Sequence, residues 1–118
     1  MEKEHEETEG QLAIDVYQTE SEIVIQAPIA GVKPENIEVS VSDEMFTVKG
    51  VRNPTCETKK EDYLTQECYW GAFSRSYLLP IKIDASKSSA SLKDGILTVT
   101  VPKEETSKTK VLKIQTEE

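Results

Sequence analysis

Apolar and polar residues alternate with a period of two along most of this chain. Leu12, Ile14 and Val16 interleave with Ala13, Asp15 and Tyr17, and Ile37, Val39 and Val41 interleave with Glu38, Ser40 and Ser42. Such alternation suits strands with one face buried and the other in water. Ile23-Val24-Ile25 is β-branched throughout and lies between Ser21 and Pro28, which reads as a further strand. Ala30-Gly31 supplies a turn, and Ser42-Asp43-Glu44 is a hairpin-sized connection to a returning strand, Met45 to Lys49, closed by Gly50. Residues 51–62 are polar and carry Pro54, which predicts a long loop, a feature that in a compact domain usually serves function or a partner contact. The stretch from Tyr63 to Trp70 is aromatic and β-prone. Gly71 interrupts it before Phe73 to Leu79 resumes as a strand ending at Pro80.

Residues 81–87 predict a corner with Asp84 and Ser86 as turn formers. Ser88 to Leu92 reads as a short strand, Asp94-Gly95 as a tight hairpin, and Ile96 to Val101 as a strong strand stopped by Pro102. Nowhere do apolar residues recur at helical spacing for three turns. Seven or eight short strands with turn signals about every 8–12 residues describe an all-β sandwich.

The two ends differ from this body. Residues 1–10 hold five glutamates against one lysine, half of the total charge of −8, and so few apolar side chains cannot offset the entropy of ordering them. We expect 1–11 to be an acidic flexible segment, 12–102 the folded domain and 103–118 an extension. Within that extension 103–110 is a polar tether, and Val111-Leu112-Lys113-Ile114 is an isolated apolar island. In an extended chain Leu112 and Ile114 point the same way. They would serve either as a two-pronged anchor for a groove or sheet edge, or as a last strand on their own domain. The loop and strand at 51–70 pose the same choice, folding home or covering a neighbour's edge.

Composition narrows the chemistry. With Asp plus Glu at 22 and Lys plus Arg at 14, the chain lacks the basic excess that binding nucleic-acid phosphates requires. Its 118 residues contain no apolar run approaching the ~18 residues of a membrane span and no basic-then-apolar leader, so a soluble, cytoplasmic protein is expected. Cys56 and Cys68 make no disulfide framework, and His5, the only histidine, sits in the acidic segment, so no zinc site is expected. Asn53-Pro54-Thr55 is barred from glycosylation by its proline. No Gly-rich phosphate loop and no paired nucleophile and base are present, and Glu61-Asp62 and Glu104-Glu105 read as solvated surface. Neither enzymatic activity nor a cofactor is expected.

Four motifs in order resemble one family. Ile29-Ala30-Gly31-Val32-Lys33-Pro34-Glu35-Asn36-Ile37 is similar to [LI]-P-G-[VF]-x-x-[ED]-[DN]-I, with Ala30 where proline is usual. Tyr69 to Pro80 is similar to Y-G-x-F-x-R-x-[FY]-x-L-P, and Ala90-Ser91-Leu92-Lys93-Asp94-Gly95-Ile96-Leu97 to A-x-x-x-n-G-v-L. Leu112-Lys113-Ile114 is similar to an [IL]-x-[IV] anchor. Together, in this order, they resemble the small heat shock proteins, the Hsp20 or α-crystallin family.

The resemblance implies an immunoglobulin-like antiparallel sandwich of seven to nine strands, the α-crystallin domain, with flexible termini. It implies an ATP-independent holdase chaperone that binds non-native proteins and assembles as a homodimer and then as larger oligomers. By that likeness Tyr63 to Glu67, with Leu64, would pair with the partner's Leu12 to Tyr17, bringing in Leu12, Ile14 and Val16. Arg75 would sit at the same interface in an ion pair with a carboxylate. Leu112 and Ile114 would enter another subunit's groove formed by Val39, Val41, Ala90 and Leu92. Family members usually carry a longer aromatic N-terminal region, whereas eleven acidic-biased residues precede Leu12 here, so small assemblies and weakened client protection are expected. The alternative is a sandwich co-chaperone of the p23/CS type that binds one folded partner. Such modules typically lack both the swapped-strand loop and the anchor.

Overall fold

The computed structural model describes residues 10–104 and 111–117, and within them the expected sandwich forms. In chain order the strands are β1 (Gly10–Gln11), β2 (Asp15–Gln18), β3 (Glu22–Pro28), β4 (Ile37–Val41), β5 (Met45–Arg52), β6 (Gly71–Leu78), β7 (Ser89–Lys93) and β8 (Ile96–Pro102). Single 3-10 turns at Pro34–Asn36, Lys60–Asp62 and Ala85–Lys87 are the only helical pieces among these residues. One sheet has the order β1-β6-β5-β4 and the other β2-β3-β8-β7. Every pairing is antiparallel except that of β1 with β6, which is parallel.

The period-two pattern sets the core. Phe46, Val48 and Phe73 from one sheet meet Ile23, Ile25, Ala27, Leu97, Val99 and Val101 from the other, with Ile29, Leu79 and Ile83 closing the ends. Removing these side chains from water supplies the main drive for folding, at about 1.5–3 kcal/mol for each fully buried large residue. Ile14, Val16, Ile37, Val39, Val41 and Leu92 flank this core half-buried.

Turn chemistry agrees with the sequence at several points. Asp94 (φ 53°) and Gly95 (φ 79°) both adopt positive φ between the paired Lys93 and Ile96, the geometry of a type I′ two-residue hairpin. Ser42 Oγ accepts from Met45 N at 3.2 Å. Asp84 Oδ1 accepts from Ser86 N at 3.2 Å and Ser86 Oγ at 2.7 Å, capping the turn at Ala85. Gly50 has a different task. A Cβ there would lie 2.5 Å from Phe73 Cζ and 2.9 Å from the Asn36 carbonyl, so only glycine lets the Phe73 ring reach the core at this point.

The structure departs from the expected elements in four places. Of the alternating run 12–17 only Asp15 to Tyr17 join a strand, β2, whereas β1 ends before the run begins and belongs to the other sheet. The chain crosses between sheets at residues 12–14 while Leu12 stays buried. Gly10–Gln11, expected within the flexible segment, forms β1; residues 1–9 lie outside the described residues. No strand forms over Tyr63 to Trp70, and Gly71 begins β6 rather than interrupting a strand. Lastly, Pro102 ends β8 rather than stopping the chain short of it, and Lys103, expected in the polar tether, is only 7% exposed. Lys103 bridges to Ile83, and its Nζ donates to the Thr19 carbonyl at 2.8 Å.

Candidate functional site

Strands β4 and β7 are edges of different sheets, and the sandwich brings them alongside one another. The inward side chains of β4 (Ile37, Val39, Val41) meet Ala90 and Leu92 of β7 across an open trough. One concavity of about 290 Å³ is lined by Pro34, Ile37, Val39, Ala90, Leu92 and Leu97. A second of about 220 Å³ is lined by Val39, Val41, Ala85, Ser88, Ala90 and Val99. They share Val39 and Ala90 and so adjoin, the first mainly apolar and the second mixed, with Ser88 and Ser89 in its wall. The small Ala90 keeps the trough open, since Ala90 pairs with Val99 and Leu92 with Leu97 on β8, and a larger side chain at 90 would occupy the middle. The structure therefore brings together all four residues that sequence reasoning named for a groove, Val39, Val41, Ala90 and Leu92. It adds Ile37 and Leu97, which the alternation of β4 and β8 already carried.

The apolar island at the C-terminal end does not pack on this body. Leu112 is 73% exposed and Ile114 is 91% exposed, with Val111 exposed beside them and no strand formed over 111–117. The alternative of a last strand on the chain's own domain is thus not adopted. Residues 105–110 of the tether lie outside the described residues.

The loop from Asn53 to Trp70 projects from the paired ends of β5 and β6, where Arg52 faces Gly71. Leu64 is fully exposed, Tyr63 is half-buried, and Tyr69 and Trp70 are exposed. Tyr69 Oη donates to the Ala72 carbonyl, which ties the returning limb to the start of β6. Opposite in kind is β2, the outer strand of its sheet, with one side unpaired among the described residues. Its Val16 and the preceding Ile14 pack half-buried on the chain's own core, and Leu12 lies within it, while Tyr17 faces solvent. Arg75, on β6, donates from Nη1 to the Leu12 carbonyl at 2.9 Å. Within its own chain this guanidinium is thus held by backbone. It fastens the crossing between β1 and β2, a function no sequence motif announces.

No group of three or more His, Cys, Asp or Glu side chains among the described residues is placed to hold a metal ion. Among the same residues, no helix is long and apolar enough to cross a membrane.

An open trough, an exposed apolar tail, a free sheet edge and a long arm are features for binding polypeptide, and comparison with known proteins agrees. The pattern of the Hsp20/alpha crystallin family matches residues 15–117. The chain is 37% identical over 100 residues to small heat shock protein C4 of Rickettsia felis, covering 85% of this chain and 61% of that protein. It is similar to the structure of heat shock protein 16.0 from Schizosaccharomyces pombe, with a TM-score of 0.76 and 31% identity over 92% of this chain and 100% of that one. It is similar also to a small heat-shock protein from Xylella fastidiosa, described as having a distinct high order structure, with a TM-score of 0.71 and 27% identity over 91% and 96% of the two chains. The chain thus spans about three fifths of the length of the Rickettsia relative. By its matched length and its sandwich alike, this chain belongs to the Hsp20/α-crystallin family.

Proposed function

We propose that this protein is an ATP-independent holdase chaperone of the cytoplasm, which binds partly unfolded proteins and keeps them from aggregating. Membership of the family supports the chaperone class, and the observation that carries the finer reading is the open β4–β7 trough beside an undocked Leu112 and Ile114. Residues 12–102 form the α-crystallin domain, flanked by the acidic segment 1–11 and the extension 103–118. In the assembly, Leu112 and Ile114 of one subunit enter the trough of another between Val39, Val41, Ala90 and Leu92. Tyr63 and Leu64 of the arm add to the partner's free β2 edge, beside Ile14 and Val16 and the Leu12 backbone that Arg75 holds. The fully exposed Leu64 supports this reading, because an apolar side chain on an arm with no strand of its own is stabilised by a partner.

Holding needs no chemistry. A binder selective for non-native chains lowers the concentration free to aggregate, by mass action alone. The trough accepts apolar segments in extended form, and a net charge of −8 keeps the complex in solution. When no client is present, the tail covers the trough. The test is light scattering from a heat-labile client without ATP. Scattering falls in proportion to added protein if the reading holds, whereas an adaptor that binds only a folded partner leaves it unchanged.

A further inference from the structure

The trough is three side chains long, and an anchor of two prongs fills only two of its positions. β4 lines it with Ile37, Val39 and Val41, four residue steps or about 13 Å from first to last. Its two ends differ in chemistry. At the Ile37 end Pro34, Leu92 and Leu97 make the wall apolar but for Ser91. At the Val41 end Ser88 and Ser89 enter the wall beside Ala85 and Val99. Ser88 follows the 3-10 turn at Ala85–Lys87, and its backbone N–H is already spent on the Ala85 carbonyl at 3.1 Å. Its Oγ is buried and has no hydrogen-bond partner among the described residues. A hydroxyl that has lost water without gaining a partner destabilises the empty trough, and a ligand with a polar group at that position removes the penalty. The tail has the matching order. In extended chain Leu112, Ile114 and Thr116 share a side at the spacing of the β4 residues, two apolar side chains followed by one hydroxyl. Thr116, like the two prongs, is exposed on its own chain.

We propose that Thr116 is a third, polar prong of the anchor, and that the tail of a second copy docks in one direction only. Leu112 sits at Leu92 and Leu97, Ile114 over Ala90, and Thr116 at Val41, with its hydroxyl bonded to that of Ser88. This rests on the tail docking proposed above and adds its register and direction. A serine hydroxyl moves among three staggered positions by rotation about one bond, so Ser88 reaches a docked partner without backbone movement. The direction is antiparallel to β7, whose outer side is unpaired among the described residues, and antiparallel strands pair the more stably. It also selects the donor of the tail. Thr100 faces Ser89 and Lys103 bridges to Ile83, so a chain's own extension leaves the body at the Ser88 end. To enter from the Ile37 end, its own tail would have to pass the whole trough and double back, whereas a second copy's tail enters directly. Two apolar prongs alone fit three positions in two registers and either direction. The hydroxyl pair removes that degeneracy, because any other placement leaves Ser88 unpaired or buries the Thr116 hydroxyl among apolar groups.

The test uses the full chain with Cys56→Ser and Cys68→Ser, so that introduced thiols are the only ones. Copies carrying Thr116→Cys are mixed with copies carrying either Ser88→Cys or Pro34→Cys, oxidised, and run on a denaturing non-reducing gel. The expected result is a covalent heterodimer with Ser88→Cys and none with Pro34→Cys. Linkage to Pro34→Cys overturns the direction, and linkage that forms only when both substitutions are on one chain overturns the second copy as occupant. A second measurement addresses the hydroxyl pair. Thr116→Val should raise the subunit concentration at half-assembly about 2- to 10-fold in the wild type and leave it unchanged in Ser88→Ala. An equal effect in both backgrounds overturns the contact. Failure of tail docking itself shows separately, as a Leu112→Ala, Ile114→Ala chain that assembles like the wild type. If that chain loses assembly and neither thiol pair links, the tail docks and the register proposed for it is wrong.

Discussion

Removing the two prongs of the tail tests how the exposed apolar island is used. Leu112→Ala with Ile114→Ala deletes three carbons from each side chain, both of them mostly in water on the free chain. At ~0.8 kcal/mol per buried CH₂, full burial of both would be worth about 5 kcal/mol. The trough is open on one side, its two concavities of about 290 and 220 Å³ facing solvent, so roughly half of that area is covered on docking. The expected loss is therefore about 2.5 kcal/mol, or about 70-fold in affinity. Fluorescence anisotropy of a labelled peptide spanning residues 110–118, titrated with a chain ending at Glu104, measures it directly. Because the contact is apolar, an increase in salt should leave the wild-type affinity nearly unchanged. A double-alanine peptide that binds within about threefold of the wild type, or full-length assemblies of unchanged mass, would refute the reasoning. Salt-sensitive binding would assign the contact to Lys113 instead.

Three further outcomes follow from particular contacts. Gly50→Ala drives a methyl into Phe73 and the Asn36 carbonyl, an overpacking that should cost about 1–3 kcal/mol and lower Tm by about 4–15 °C; adding Phe73→Leu should restore part of the loss in a thermal melt. Leu64→Asp should leave the isolated fold's unfolding midpoint in urea unmoved, because the side chain touches nothing, while sedimentation shows a weakened dimer. Lys103→Met keeps the buried stem but leaves the Thr19 carbonyl without its donor, which should cost about 1–3 kcal/mol in a chemical melt.

The strands were legible because burial has a period: Ile37, Val39 and Val41, or Leu97, Val99 and Val101, point one way and their neighbours the other, whatever the partner sheet is. Asp94-Gly95 announced its turn because few residue pairs tolerate positive φ twice in succession. The groove itself came from the likeness to the small heat shock proteins, and alternation then picked out Val39, Val41, Ala90 and Leu92 on its two strands. Other features lay beyond any local signal. Leu12 to Tyr17 alternates without a break, yet its first three residues form no strand and carry the chain from the sheet of β1 to that of β2, because only the three-dimensional closure of the sandwich gives the chain a reason to cross there. Arg75 finds a carbonyl 63 residues away, and Lys103 finds one 84 residues away, neither of which a motif encodes. The stretch from Tyr63 to Trp70 has the composition of a strand, yet it joins neither sheet of its own chain. Propensity and alternation are properties of consecutive residues and were fixed by the sequence as written; which strands became neighbours, and which edges were left open, depended on distant segments packing together, and only the folded chain decided that.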